Sequence, residues 1–139
     1  MAFLDTSVLL ASLDSEEAGH AACDGLLAQG GHQIYSHALA EAFSILTGGR
    51  QGRRFSADAV AELMDESLLP YVAMQALTVR ELMAALKAAQ TRGVRGGAIY
   101  DWLHLAAARK AGATKFYTLN LRDFQALARP GDPLIRVPD

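Results

Sequence analysis

The chain has a single cysteine, Cys23, in 139 residues. One thiol makes no internal disulfide, so the fold cannot be a cross-linked secreted scaffold, and the composition suits a reducing cytoplasm. No apolar stretch is long enough to span a membrane, and no basic segment followed by a cleavable apolar one precedes the first strand-like residues. Charge of one sign is also missing. Lys and Arg number 13 against 15 Asp and Glu, a formal net charge of −2. That balance excludes a broad electrostatic grip on nucleic acid, though not a basic rim around an acidic centre. Phosphate cradles of the G-x-x-x-x-G-K-[ST] and G-x-G-x-x-G kinds do not occur. The four histidines and Cys23 show no zinc spacing, and no G-x-S-x-G nucleophile elbow is present. Repeats, low-complexity tracts and linkers are missing too. With 51% hydrophobic and 20% charged residues, residues 1–139 are expected to form one globular domain with a substantial core.

What is present is an alternation of short apolar runs with helical stretches. The chain opens on an apolar run that stops at Asp5-Thr6-Ser7 and resumes at Val8. A short continuous apolar run reads as a strand buried on both faces. Asp5 then lies where such a strand ends, which is where ligands bind in open α/β sheets. It could equally cap the following turn. A helix is predicted from the acidic start at Asp14–Glu17 to Gly30, with Ala18, Ala22, Cys23 and Leu26 inward. Gln33–Tyr35 is a second strand. Ser36 is a candidate cap for a helix to Thr47, carrying Leu39, Ala42, Phe43 and Leu46 on its buried stripe. Glu41 borders that stripe, either with a hidden partner or as a snorkelling surface acid.

The connection Gly48–Arg54 holds Arg50, Arg53 and Arg54, whose forked guanidinium groups suit phosphate oxygens as well as open solvent. Ser56 opens a helix with Val60, Leu63 and Met64 inward, and Pro70–Met74 is a third strand. Thr78-Val79-Arg80-Glu81 is a capping box, with Leu77 and Leu82 as its staple. The segment from Ala98 to Gly112 is a helix apolar nearly all round. Asp101, in its first turn, is costly there unless it meets a cation or donors. His104 reads as an ordinary helix histidine rather than a ligand. Lys115–Thr118 is a fourth strand, ending toward Asn120 and Asp123, each also a plausible cap or turn residue. Leu134–Val137 is the last strand. Strand–helix alternation implies an α/β three-layer sandwich around a parallel sheet of four to five strands.

The acids Asp5, Glu41, Asp101 and Asp123 each stand near a strand end or on a helix opening toward one. An oxygen-only ligand set favours Mg²⁺ or Mn²⁺, and such ions can activate water for phosphodiester cleavage. Four segments now carry a family resemblance: Leu4–Leu10, Ala38–Ala42 around Glu41, Tyr100–Ala106, and Thr118–Phe124. Together, in this order, they resemble the PIN domain, most of all the VapC-type toxins of toxin–antitoxin pairs. The resemblance spans the whole chain. It implies a PIN-like sheet flanked by helices and an Mg²⁺- or Mn²⁺-dependent ribonuclease centre. Asp5, Glu41 and Asp101 match the family's three main acids. Asn120 stands where many members have a fourth acid, with Asp123 three residues on.

On that resemblance Asp5 and Asp101 hold the principal ion, Glu41 completes the cluster, and Asp123 and Asn120 with Thr118 serve a second ion or the phosphate. Thr6, Ser7, Arg50, Arg53 and Arg54, with Lys110 and Arg122, are further candidates for substrate contact. Expected partners are an RNA substrate, a cognate antitoxin protein and a second copy of the chain, without a membrane. Two other classes stay open. One is a catalytically inactive module of the same fold that binds RNA or antitoxin. The other is a phosphatase of the haloacid-dehalogenase type, which needs a second acid two residues after the first, where this chain has Ser7.

Overall fold

The computed structural model describes residues 1–49 and 54–139. Its centre is a five-stranded, wholly parallel sheet in the order β3-β2-β1-β4-β5. The strands are β1 (Ala2–Leu4), β2 (His32–Tyr35), β3 (Val72–Gln75), β4 (Lys115–Tyr117) and β5 (Leu134–Arg136). The helices are α1 (Thr6–Leu13), α2 (His20–Gln29), α3 (His37–Thr47), α4 (Ala57–Ser67), α5 (Val79–Ala88), α6 (Ala98–Lys110) and α7 (Leu121–Leu127).

Successive strand residues point to opposite faces of a sheet, and this alternation divides the core in two. Leu4 and Ile34 join Val8, Leu9, Cys23, Ala38 and Val60 under α1–α4. Phe3 and Tyr35 join Trp102, Leu105, Phe116 and Phe124 under α5–α7. The three-layer sandwich expected from the alternation of elements is therefore what forms. Trp102 fastens the second layer, its Nε1–H donating to the Ala85 carbonyl at 2.8 Å with the Arg129 guanidinium 4.1 Å above its ring. Thr78 caps α5 in the predicted box: the Glu81 amide donates to its hydroxyl at 3.1 Å, and its own amide donates to Glu81 at 2.9 Å.

Several boundaries differ from expectation. Residues 14–19 form turns rather than the start of α2. The Asp14 carboxylate accepts from the Glu16 amide, and Gly19 takes φ +81°, a left-handed conformation that a continuing helix does not allow. Ala18 is thus outside the helix and exposed. Ser36 occupies the cap position of α3 without a side-chain capping bond, because its backbone is already helical. Phe43 is exposed, and the buried stripe of α3 is Ala38, Ala42 and Leu46. Strand β3 begins at Val72 rather than Pro70, which has no N–H to give a sheet.

The topology also decides where chemistry can occur. From β1 the chain moves to β2 and β3 on one side, then crosses to β4 and β5 on the other. The carboxyl ends of β1 and β4 therefore flank the switch point, where neighbouring connections diverge and leave a crevice.

Candidate active site

Asp5 is the first residue after β1 and the cap of α1. Its amide donates to the Tyr117 carbonyl of β4 at 3.1 Å, so the residue is pinned in the crevice. Three donors converge on its carboxylate. The Ser7 hydroxyl lies 2.6 Å and the Val8 amide 3.3 Å from Oδ1, and the Thr118 hydroxyl lies 2.7 Å from Oδ2. Both hydroxyls are held in turn by backbone, the Leu119 amide donating to Ser7 and the Asn120 amide to Thr118, each at 2.9 Å. Capping and site placement are thus one arrangement. Asp5 is 3% exposed. Burial pushes its carboxyl above the ordinary range, and the donors and the field of His104 offset only part of that.

Asp5, Glu41, Asp101, His104 and Asn120, with Thr6 and Ser7, line one hollow of about 150 Å³. Glu41 comes from α3, Asp101 and His104 from α6. Glu41 has the hidden partner that its border position called for, and the snorkelling alternative falls. The buried His104 ring places Nε2 2.8 Å from Glu41 Oε1, so Nε2 carries the proton it donates. The same nitrogen lies 3.4 Å from the Thr6 hydroxyl. Burial pushes Glu41 up, but the His104 hydrogen bond and the charges of His104 and His37 prevail and hold it below the usual glutamate value. For Asp101 the counterweight is too small. Desolvation raises it to about 6; His104 opposes this, and the charges of Asp5, Glu41 and Asp123 add to it.

Other sequence candidates sit differently. Thr118 is fully buried and its hydroxyl proton, like that of Ser7, is committed to Asp5, while Ser7 also lines the hollow. Asp123 is exposed on the first turn of α7 and does not line the hollow, although its charge reaches Asp101; Asn120 is the α7-side residue that does line it. Lys110 is paired with Glu81 at 2.6 Å and the Ala76 carbonyl at 2.8 Å, on α5's side of the molecule. Arg54 and Arg122 are exposed. Arg50 and Arg53 lie outside the described residues. His104, read in the sequence as an ordinary helix histidine, is a buried one bonded to Glu41 at the hollow. Its signal was the spacing from Asp101, three residues along a helix buried nearly all round.

The hollow suits a hard divalent cation by donor chemistry. Its acids are oxygen donors from three different elements, and the charges of Asp5 and Glu41 add to the desolvation that raises Asp101. Among the described residues no three His, Cys, Asp or Glu side chains already converge at ligand geometry. Mg²⁺ does not demand that, because it keeps several waters and takes one or two carboxylates directly.

A parallel α/β sandwich in which acids from three elements line one hollow at the switch point is an arrangement that can receive a cation or a polar ligand. The PIN domain family model matches residues 2–130. Ribonuclease VapC40 of Mycobacterium tuberculosis is 37% identical over 126 residues, 90% of each chain. The chain belongs to the PIN domain family, and its similarity within that family is to VapC proteins. Among solved structures, VapC20 of M. tuberculosis, described as a sarcin–ricin loop cleaving toxin, has a TM-score of 0.70 at 24% identity, covering 94% of this chain and 100% of that one. VapBC2 of Rickettsia felis, bound to a promoter DNA fragment, has a TM-score of 0.67 at 16% identity, covering 99% and 98%. At these identities the structural likeness speaks for the fold.

Proposed function

We propose that residues 1–139 act as one PIN-like domain: a divalent-metal-dependent ribonuclease serving as the toxin of a toxin–antitoxin pair. The observation that carries this reading is the convergence of Asp5, Glu41 and Asp101 on one hollow at the switch point of a PIN-family sheet. The 37% identity to a ribonuclease VapC across 90% of both chains supports the substrate class. Asp5 and Asp101 would hold Mg²⁺ or Mn²⁺, with Glu41 completing the set through water. When bound, such an ion supplies positive charge that acidifies water and neutralises charge on the phosphate and leaving oxygen.

The remaining work belongs to the chain. Ser7, Thr118 and the Val8 amide favour the ionised form of Asp5, against the larger effect of its burial, and fix its orientation. His104 holds Glu41 in place and favours its ionised form, so its carboxylate can orient a water by accepting a hydrogen bond from it. The Asn120 side chain can present its amide to a phosphate oxygen, and Asp123 adds negative charge at the α7 edge. No side chain is needed as a nucleophile. Arg54, with Arg50 and Arg53, and Arg122 are candidates for flanking phosphates. Ser7, standing where a haloacid-dehalogenase phosphatase needs its second acid, is bound to Asp5 instead, which disfavours that class.

As partners we propose an antitoxin that covers the acidic hollow with a cationic side chain, and a second copy of the chain. Among the described residues no helix is long and apolar enough to cross a membrane, and a cytoplasmic location suits the free, buried Cys23. The test is incubation of purified protein with single-stranded and structured RNA in Mg²⁺, Mn²⁺ or EDTA. Cleavage with either ion and none in EDTA is expected. Absence of cleavage with both ions, or turnover of a small phosphate monoester instead, would sink the reading.

A further inference from the structure

Four aromatic rings run outward from the acid hollow. His104, hydrogen-bonded to Glu41, meets Tyr35 edge-on at 5.5 Å. Tyr35 meets His37 at 5.9 Å, tilted by 39°. His37 stacks on Tyr100 with centroids 5.5 Å apart and planes within 8°. Exposure grows along the row: His104 and Tyr35 are buried, His37 is half-buried, and Tyr100 is 47% exposed. The outer two rings ride on the helices that supply the acids. His37 lies one turn before Glu41 on the same side of α3, and Tyr100 directly precedes Asp101 in α6.

A tyrosine half in water gains little from core packing and ordinarily turns between rotamers. Here one face of the phenol is covered by His37, which fixes the plane of the ring, while much of the rest stays open to solvent. The result is a flat, pre-oriented aromatic surface beside a site for phosphate chemistry. We infer that Tyr100, backed by His37, is a stacking platform for an unpaired nucleobase of the RNA strand whose phosphate enters the hollow. This rests on the ribonuclease reading above, and it requires a base that is unstacked where it meets the ring. Inside a duplex both faces of a base are covered by its neighbours, so only an unstacked base can lie on the ring. Stacking recognises the π-face that every base shares, so the platform fixes strand geometry rather than sequence.

The test is equilibrium binding in EDTA, where nothing is cut. The probes are a fluorescein-labelled uridine oligomer and an abasic ribose-phosphate oligomer of equal length, read by anisotropy. Repulsion from the empty acids is the same for both probes, so the ratio of affinities reports base contact alone. Wild type is expected to prefer the uridine oligomer by roughly five- to a hundredfold, the range for one stacked base. Tyr100→Leu should lose most of that preference, and Tyr100→Phe should retain it. Melting curves will show that both variants fold, as an exposed position allows. Equal binding of the two oligomers by wild type, or an undiminished preference in Tyr100→Leu, overturns the platform even if RNA is cleaved in Mn²⁺. A preference lost only in Tyr100→Leu supports it even if no cleavage is found.

Discussion

Asp101 and His104 sit three residues apart on α6 and behave in opposite ways. Asp101 is held near 6 chiefly by desolvation, with Asp5, Glu41 and Asp123 adding to the rise. Its ionised form is therefore a cost to the metal-free fold. Asp101→Asn removes the charge and nearly keeps the shape. The variant is expected to lose RNA cleavage yet melt no lower than wild type in EDTA at pH 7. Retained cleavage would remove Asp101 from the set of ligands. His104 is structural in the opposite sense, since it fills core volume against Tyr35 and is the donor to Glu41. His104→Ala leaves a void and an unpaired carboxylate, and should cost about 2–4 kcal/mol in urea unfolding. A loss below about 1 kcal/mol would show that the His104–Glu41 pair adds little to the fold.

Helix α5 illustrates how an element can be fixed locally and still leave the site alone. Its start is set by four consecutive residues, Thr78 to Glu81, whose reciprocal bonds satisfy two otherwise orphaned amides. Thr78→Ala should lower stability by about 1 kcal/mol, or roughly 2–4 °C in the midpoint for a domain of this size, with unchanged cleavage of RNA. A fall in cleavage at full folding would mean that α5 communicates with the hollow, which its position across the second core layer does not suggest. Helix α1 is the opposite case. Its cap is Asp5 itself, so the element and the site share one carboxylate, and no substitution at Asp5 can separate folding from function. Helix α2 starts later than its neighbouring acids suggest, for a related reason. The acids at 14–17 look like a first turn, but Asp14 spends its oxygen on a turn and Gly19 breaks the path.

For the whole molecule, the acids should couple stability to both pH and metal. Asp101 is raised, so between about pH 4 and pH 6 the folded state holds more protons than the unfolded one. Its contribution to stability therefore falls as pH rises through that window and is at its worst above 6. After discounting for its partial exposure to solvent, this is worth about 1–2 kcal/mol. Glu41, being lowered, acts in the opposite direction, and its contribution is lost as pH falls below the ordinary glutamate range. The difference in midpoint between Asp101→Asn and wild type in EDTA isolates the Asp101 part. It should be largest at pH 7 and vanish near pH 4; a difference independent of pH would contradict it. Mg²⁺ or Mn²⁺ should raise the wild-type midpoint, by about 2.7 kcal/mol at a hundredfold excess over Kd, and raise that of Asp101→Asn less. Thermal scans with and without ion check this, and an equal shift in both proteins would place the ion elsewhere.

Local chemistry is what the sequence by itself determined. The apolar run ending at Asp5, the Thr78 box, the apolar helix around Asp101 and the alternation of strands with helices depend on near neighbours, so they could be read in order along the chain. The fold class followed from them, because parallel strands need helical crossovers. Three-dimensional relations were decided only by the tertiary structure. It made Ser7 and Thr118, 111 positions apart in the numbering, co-donors to Asp5. It gave Glu41 its partner in His104, 63 residues away, and left Asp123 outside the hollow while Asn120 lines it. It also aligned Tyr35, His37 and Tyr100 into a row that no spacing announces. The physical reason is that pattern and capping act over a few residues, whereas the meeting of α3 and α6 side chains beyond the end of β2 is set by the sheet order, which turns on how the two core layers fill.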